Sequence, residues 1–160
     1  MRKLYLLKAI VDFVYIMSII TFFLAVIFSV LLLFNLSSVK ILDYVGIWGK
    51  IVPQIVLAGI GLLVYALYYF KKLLANFKDK LIFETENCQF FHKIGKVILY
   101  FSLILFLFGF IPKSTQTTTI NVTFGFSPSL FIVVLGLFFL VLAEVFKMGK
   151  QLKEENDLTI

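Results

Sequence analysis

Four long apolar runs dominate the chain, and charged or polar residues separate them. The runs cover residues 13–34, 51–70, 94–111 and 130–146. Crossing about 30 Å of hydrocarbon takes roughly 20 helical residues, which is close to the length of each run. Because lipid offers backbone N–H and C=O groups no water, the runs are expected to be helices. The pattern predicts an all-α fold, a bundle of four transmembrane helices in a single integral membrane domain of residues 1–160.

Residues at the ends of the runs support these boundaries. Asp12 immediately precedes the first run, where its carboxylate would meet the partial positive charge of a helix N-terminus. Pro53 falls in the first turn of the second run, where its missing N–H matters little. Pro112 follows the third run, and Pro128 precedes the fourth. We therefore expect the first helix to begin close to Asp12.

Lysine and arginine residues are distributed unevenly between the connections. Three lie in the N-terminal segment, six in or beside the connection 71–93, and three in the tail 147–160. The other two connections hold only Lys40, Lys50 and Lys113. Positively charged loops stay in the cytoplasm, so both termini and the connection 71–93 are predicted to be cytoplasmic. The arrangement is typical of a multi-pass protein of the bacterial cytoplasmic (inner) membrane.

Composition and charge limit the kinds of molecule that the chain is expected to contact. Hydrophobic residues make up 61% of the chain, more than a soluble protein of this size can bury, so the lipid bilayer is the expected surroundings. The net charge of +6 comes from lysines that punctuate apolar runs, whereas nucleic-acid binders carry their charge on a solvated face or arm. We expect contact with anionic lipid headgroups and no direct contact with nucleic acid.

The connections carry secondary-structure signals of their own. Leu73, Leu74, Phe77 and Leu81 recur at helical spacing, which predicts that the second helix continues past the membrane surface. Thr85 can cap the start of a helix that leads into the third run. On the outer side, residues 117–124 are rich in β-branched residues and favour a short extracellular hairpin between the third and fourth helices.

Small residues recur seven apart in every run, and this spacing predicts close helix packing at shallow angles in a compact bundle. The sequence leaves open whether the chain forms a homo-oligomer. The residues of this predicted seam are Ser18, Ala25, Gly59, Ala66, Gly95, Ser102, Gly109, Ser129, Gly136 and Ala143.

Candidate catalytic chemistry is sparse. No ionisable residue lies at the centre of a span, and Glu144 near the end of the fourth has Lys147 as a ready ion-pair partner. His92 is the only histidine and Cys88 the only cysteine, so neither a metal cluster nor a disulfide can be built from them. A Ser-His-Asp set and a glycine-rich phosphate loop are absent from the sequence. The prediction is a protein that is not an enzyme and needs no cofactor.

Two cytoplasmic segments resemble a known family. The segment 143–160 (AEVFKMGKQLKEENDLTI) and the segment 82–87 (IFETEN), with Ile94 and Gly95 after it, are similar to bacterial membrane proteins catalogued as domain of unknown function 2975. Members of that family are often encoded beside a small helix-turn-helix repressor. The resemblance implies, by association, a membrane partner for a cytoplasmic transcription regulator.

The leading hypothesis is a membrane-embedded partner or sequestering sensor for such a regulator, with the middle connection and the acidic tail as the docking surface. Alternatives are a small transporter or permeability factor, with Ser18, Thr21, Ser29 and Ser102 along a polar path, and a structural subunit of a membrane complex. The tail could equally fold back on the lysines of the connection 71–93. The candidate docking residues are Phe83, Glu86, Asn87, Glu154, Glu155, Asn156, Asp157, Leu158 and Ile160.

Overall fold

A computed structural model of the chain describes residues 2–34, 47–108 and 128–158. It contains four helices. Their bounds are α1 (Arg2–Leu33), α2 (Ile47–Lys78), α3 (Thr85–Phe108) and α4 (Pro128–Leu158).

Each helix is long and apolar enough to cross a membrane, so the predicted all-α fold with four membrane-spanning helices is confirmed. The described residues include no strand, and the hairpin predicted at 117–124 lies outside them. Which end of the bundle faces the cytoplasm stays a prediction.

The helices extend well beyond the apolar runs at one end of the bundle. There α1 begins at Arg2, α2 continues to Lys78, α3 starts at Thr85 and α4 reaches Leu158. At roughly 1.5 Å per residue, α1, α2 and α4 are each about 46–48 Å long, against about 30 Å of hydrocarbon. We call this end, residues 2–12, 71–93 and 144–158, the basic end.

The expectation that the first helix begins close to Asp12 is wrong. Helix α1 starts ten residues earlier, so Asp12 lies inside it, about three turns from its N-terminus. The carboxylate is instead 3.4 Å from the Lys71 ammonium on α2. Charged residues can continue a helix through the headgroup layer, and the end of an apolar run therefore marks the edge of the hydrocarbon, not the end of the helix.

Helices pack in chain order, α1 on α2, α2 on α3 and α3 on α4. Within the described ranges α1 and α4 do not pack on each other, so the prediction of a compact bundle is wrong on that side. Large apolar side chains of both helices remain exposed in the isolated chain, with Phe23 63% and Phe131 70% accessible. Lipid tails solvate such residues as well as another helix would, so apolar surface alone does not bring α1 and α4 together.

The closest helix contact joins α3 and α4. A Cβ added to Gly95 would lie 2.9 Å from the carbonyl oxygen of Gly136, and one added to Gly136 would lie 3.2 Å from the Gly95 carbonyl oxygen. Beside this contact, toward the basic end, lies the buried core. Its members are Tyr69, Leu73, Phe90, Phe91, Ile94, Ile98 and Ala143.

Other residues of the predicted seam lie in several environments. Ala66 and Ser102 are buried, and a Cβ on Gly59 would lie 3.1 Å from the Phe101 ring. Ser18 and Ala25 are half-buried on α1. Gly109 and the side chain of Ser129 lie outside the described residues.

Candidate functional site

The turn between α2 and α3 is held by a helix-ending motif at Lys80. Helix α2 ends at Lys78, and Lys80, two residues later, adopts the left-handed region at φ 62°. The N–H of Lys80 donates to the Phe77 carbonyl at 3.2 Å, and the N–H of Leu81 donates to the Asn76 carbonyl at 2.9 Å. This pair of bonds is the Schellman pattern, which normally has glycine at the left-handed position.

Asn87 stabilises this turn through hydrogen bonds of its buried side chain. Its side chain is fully buried, with 0% of its surface exposed. Its amide nitrogen donates to the carbonyls of Leu81 and Ile82, and its amide oxygen accepts from the Asn76 side chain at 2.8 Å. Buried polar groups need such partners, so Asn87 sets the path of the turn. A docking partner would not reach this side chain without opening the turn.

Phe83 and Thr85 connect the turn to α4. The Phe83 ring lies against Gly149, where an added Cβ would come within 2.7 Å of it, and 6.0 Å from the Phe146 ring. The Thr85 hydroxyl accepts a hydrogen bond of 2.6 Å from Lys150. Phe83 remains 41% exposed. The Phe83 ring can lie beside the start of the tail because Gly149 has no side chain.

A polar groove of about 490 Å³ lies between the start of α3 and the end of α4. The predicted ion pair of Glu144 with Lys147 is present at 3.7 Å, and Lys150 pairs with Glu154 at 3.3 Å. Among the described residues no group of three metal-ligating side chains occurs. The groove is lined by Thr85, Cys88, Gln89, His92, Lys93, Ala143, Glu144, Lys147, Lys150, Gln151 and Glu154. Because charges of both signs line the groove, it suits a peptide with polar and charged side chains.

The tail continues α4 as a helix to Leu158. Glu154, Glu155 and Asn156 are exposed, Leu158 is 87% accessible, and Glu86 is exposed on the facing end of α3. Ile160 and the side chain of Asp157 lie outside the described residues.

The start of the tail contacts the connection 71–93 through Gly149 with Phe83 and Lys150 with Thr85, but no described salt bridge joins the acidic residues of the tail to the lysines of that connection. Three lysines of that connection have other contacts, Lys71 with Asp12 and Lys72 and Lys78 with aromatic rings.

Lysines and aromatic rings form a layer across the basic end. Each ammonium lies about 5 Å from the centre of a ring, within the range of a cation–π contact. The pairs are Lys71 with Tyr15 at 5.1 Å, Lys72 with Tyr68 at 4.8 Å, Lys78 with Tyr5 at 4.9 Å and Lys93 with Tyr69 at 4.8 Å. The tyrosines alone predict an interfacial belt, but the pairing with lysines depends on the packing of α1, α2 and α3.

The four hydroxyls of the transporter alternative do not line one path. Ser18 and Thr21 donate to carbonyls of their own helix, and Ser102 does the same. Ser29 donates to Gln54 of α2 at 2.7 Å, about three turns along α1 from Ser18, and does not line the cavity that Ser18 and Thr21 border. These residues give the transporter alternative no support.

Gln54 is a residue that the sequence reasoning missed. It receives the Ser29 hydrogen bond, and this bond links α1 and α2 inside their apolar spans. A glutamine one turn inside an otherwise apolar run was the available signal, since such amides bind across helices in lipid.

These features define an all-helical, multi-pass membrane protein with a charged, groove-bearing basic end. A family model described as "Protein of unknown function (DUF2975)" matches residues 44–160, and the chain belongs to this family. The match covers α2, α3 and α4. No curated protein and no solved structure matches the chain.

Proposed function

We propose that this chain is a non-enzymatic membrane protein whose basic end binds a cytoplasmic helix-turn-helix transcription regulator and holds it at the membrane. The observation that carries the proposal is the continuity of the polar groove with the tail. Lys150, Glu154 and Leu158 are spaced four apart on α4, so they share one face of the helix. The first two line the groove, and Leu158 extends the same face beyond it.

This face has the chemistry of a protein-docking surface. Leu158 provides an apolar anchor at the end of the helix, and the exposed ring edge of Phe83 provides another beside Gly149. Charges of both signs line the groove that leads to Leu158, and such patterns select a partner by complementarity. A short amphipathic helix laid along the groove would contact Leu158 and the charges together.

Two arguments favour this class of partner. The excess of lysine and arginine favours a cytoplasmic position for the basic end, so the partner would be a cytoplasmic protein. The family resemblance adds the association with helix-turn-helix regulators. Binding through α3 and α4 would also fit the extent of the family match, which includes both helices.

Site-specific photo-cross-linking in cells is the direct test. A photoreactive residue at Leu158 or Gln151 is expected to cross-link a protein that contains a helix-turn-helix domain. The same residue at Leu130, which is 50% exposed at the opposite end of α4, serves as the control and is expected to label lipid or other membrane proteins. Cross-links from the tail positions to membrane subunits only would favour the structural-subunit alternative and overturn the proposal.

A binding measurement with the captured regulator then tests the anchor. Leu158→Ala is expected to weaken binding to the detergent-purified chain by about tenfold, which corresponds to about 1.4 kcal/mol. Leu130→Ala is the matched control, since it makes the same substitution on the same helix away from the groove. Equal affinity for both variants would show that the tail face is not the docking surface.

A further inference from the structure

A stripe of exposed apolar side chains runs along α4. Its members recur at alternating spacings of four and three residues, which is the seven-residue repeat of a coiled coil. Each of them is between 49% and 67% exposed in the isolated chain. We call this surface the α4 stripe, and its residues are Val134, Phe138, Val141, Val145, Met148 and Leu152.

Helix α3 covers the opposite side of α4. When Val145 is assigned to position a of the repeat and Met148 to position d, Gly136 and Ala143 fall at position f, across the helix from the α4 stripe. Gly136 contacts α3 at Gly95, and Ala143 belongs to the buried core. Among the described helices α4 packs on α3 alone, so α4 lies at the edge of the molecule with the α4 stripe facing outward.

The α4 stripe continues past the hydrocarbon, where lipid tails do not cover it. The apolar run ends at Phe146, and Leu152 lies about 9 Å further along the helix axis. The headgroup layer adds only about 5–8 Å on each side of the hydrocarbon. The sequence of residues 147–158 includes six charged residues, so this part of α4 is hydrated, yet Met148 and Leu152 are 53% and 67% exposed there. Acyl chains account for the first four members of the α4 stripe but not for the last two.

Helix α1 also exposes apolar residues beyond its apolar run, but their surroundings differ. Lys8 is the one charged residue of the sequence 4–11, and apolar residues lie on both sides of it. Its ammonium can reach toward water while its stem and the neighbouring side chains stay in the apolar part of the interface. This segment of α1 can therefore be covered by lipid, whereas the hydrated extension of α4 cannot.

The residues that flank the α4 stripe permit contact with a second copy of the same helix. In a parallel coiled coil, position g of one helix faces position e of the other, five residues later in the sequence. These pairs would be Glu144 with Gly149 and Gln151 with Asn156, so no two like charges face each other. The lysines after Phe146 fall at positions b, c and f, away from the contact.

The exposed area is sufficient for such a contact. Six side chains of this size, each about half exposed, offer on the order of 600 Å² per copy, against roughly 800 Å² per partner in a standard interface. Leu135 and Leu137, exposed at positions e and g, add to this area.

We propose that the chain forms a symmetric dimer in which the α4 stripes of two copies pack in parallel. All copies carry the same distribution of lysine and arginine, so they insert in one orientation and their α4 helices run in the same direction. A second copy therefore supplies the same repeat at the same depth. The same patch serves both copies, so the contact closes at two. The dimer does not require a bound regulator, and the groove residues Lys147 and Glu154, at position c, lie to one side of the contact.

Disulfide cross-linking of the full chain in membranes tests the contact. Cys88 is the only cysteine, so a Cys88→Ser background leaves one introduced thiol per chain. Leu152→Cys is expected to form a covalent dimer on oxidation, because position a brings the two side chains together. Lys153→Cys, at the neighbouring exposed position, is the matched control and is expected to stay monomeric. Equal yields from the two variants, no dimer from either, or an adduct of Leu152→Cys with a different membrane protein in place of the dimer would overturn the proposal.

An equilibrium measurement in liposomes tests the energetic role of the extension. Resonance energy transfer between donor-labelled and acceptor-labelled copies, followed over a range of protein-to-lipid ratios, gives the dissociation constant of the dimer. Leu152→Glu places two carboxylates against each other and is expected to raise this constant at least about tenfold. Lys153→Glu introduces the same residue at position b and is expected to leave it unchanged. Both substitutions lie outside the apolar runs, and circular dichroism checks that the helices are retained. An unmodified chain that stays monomeric at every ratio, or an equal effect of the two variants, would contradict the proposed contact.

Discussion

The carboxylate of Asp12 on α1 lies 3.4 Å from the ammonium of Lys71 on α2, and Lys71 also lies over the ring of Tyr15. This contact joins α1 to the part of the chain that the family model matches, since the match begins at residue 44. Together with the Ser29 bond to Gln54, it gives α1 a polar attachment near each end of its apolar span. Between these two points α1 contacts α2 through apolar side chains such as Phe22, which approaches Gly61.

Breaking the Asp12 pair is expected to weaken the attachment of α1 only slightly. The two side chains are 34% and 38% exposed, although the Asp12 oxygen that faces Lys71 is itself buried, and the coupling free energy of this partly hydrated pair should be about 0.5–1 kcal/mol. A double-mutant cycle of Asp12→Asn and Lys71→Met, measured from SDS-induced unfolding, gives this coupling. The exchange variant Asp12→Lys with Lys71→Asp should recover part of the lost stability. Coupling well above 1 kcal/mol would mean that the pair is far less hydrated than its exposure indicates.

The Asn87 variants should be among the most destabilising at the basic end. Asn87→Asp keeps the oxygen that accepts from Asn76 but removes the two N–H bonds to the carbonyls of Leu81 and Ile82. A fully buried side chain that loses its hydrogen-bond partners costs about 1–3 kcal/mol, so the free energy of unfolding should fall by about that amount. Asn76→Ala, the control, removes one bond and should have a smaller effect. Equal losses in both variants, measured by circular dichroism in detergent, would contradict this account of the turn.

Lys80→Gly is expected to stabilise the protein. Lys80 adopts φ 62° at the end of α2, and glycine adopts this conformation without the steric penalty of a Cβ. The gain in unfolding free energy should be up to about 1 kcal/mol. Lys80→Ala is the control that separates conformation from charge, because alanine removes the ammonium but keeps the Cβ. If the alanine variant is stabilised as much as the glycine variant, relief of charge repulsion and not backbone strain explains the gain.

The number and position of the membrane helices could be predicted from the apolar runs because lipid leaves the backbone no other regular structure. The lengths by which the helices extend beyond the apolar runs at the basic end were predicted less well. The amphipathic pattern after Phe70 predicted that α2 continues past the membrane surface, and it does, but α2 ends at Lys78, before Leu81 of that pattern. The cap signal at Thr85 predicted the start of α3, which begins at that residue. The start of α1 lacks such a signal, so the carboxylate of Asp12 was assigned to the wrong position.

The sequence could not predict which helices contact each other, and the reason is physical. The spacing of small residues says which positions permit close approach, but it does not say which helices are neighbours. Gly95 and Gly136 meet across α3 and α4, whereas Ser18 borders a cavity. In lipid, helix order depends on a few polar bonds such as Ser29 to Gln54 and on shape, and neither can be read from one helix alone.

The contact of Gly95 with Gly136 leads to the prediction with the largest expected structural effect. A Cβ on Gly95 would lie 2.9 Å from the Gly136 carbonyl oxygen and 2.8 Å from Leu140 Cδ2, so α3 and α4 would have to separate. Gly95→Ala is therefore expected to lower the free energy of unfolding by about 1–3 kcal/mol, the usual effect of overpacking, despite the better helix propensity of alanine.

Gly61→Ala provides the matched control for this substitution. Its Cβ would lie 3.3 Å from the Phe22 ring, a side chain on α1 that can move by a few tenths of an ångström. We expect its helix propensity gain to offset the contact, which leaves stability unchanged or slightly higher. SDS-induced unfolding of both variants makes the comparison. If Gly95→Ala is tolerated as well as Gly61→Ala, then α3 and α4 are not held at backbone contact in the membrane, and the buried core beside Gly95 would also have to be packed less tightly.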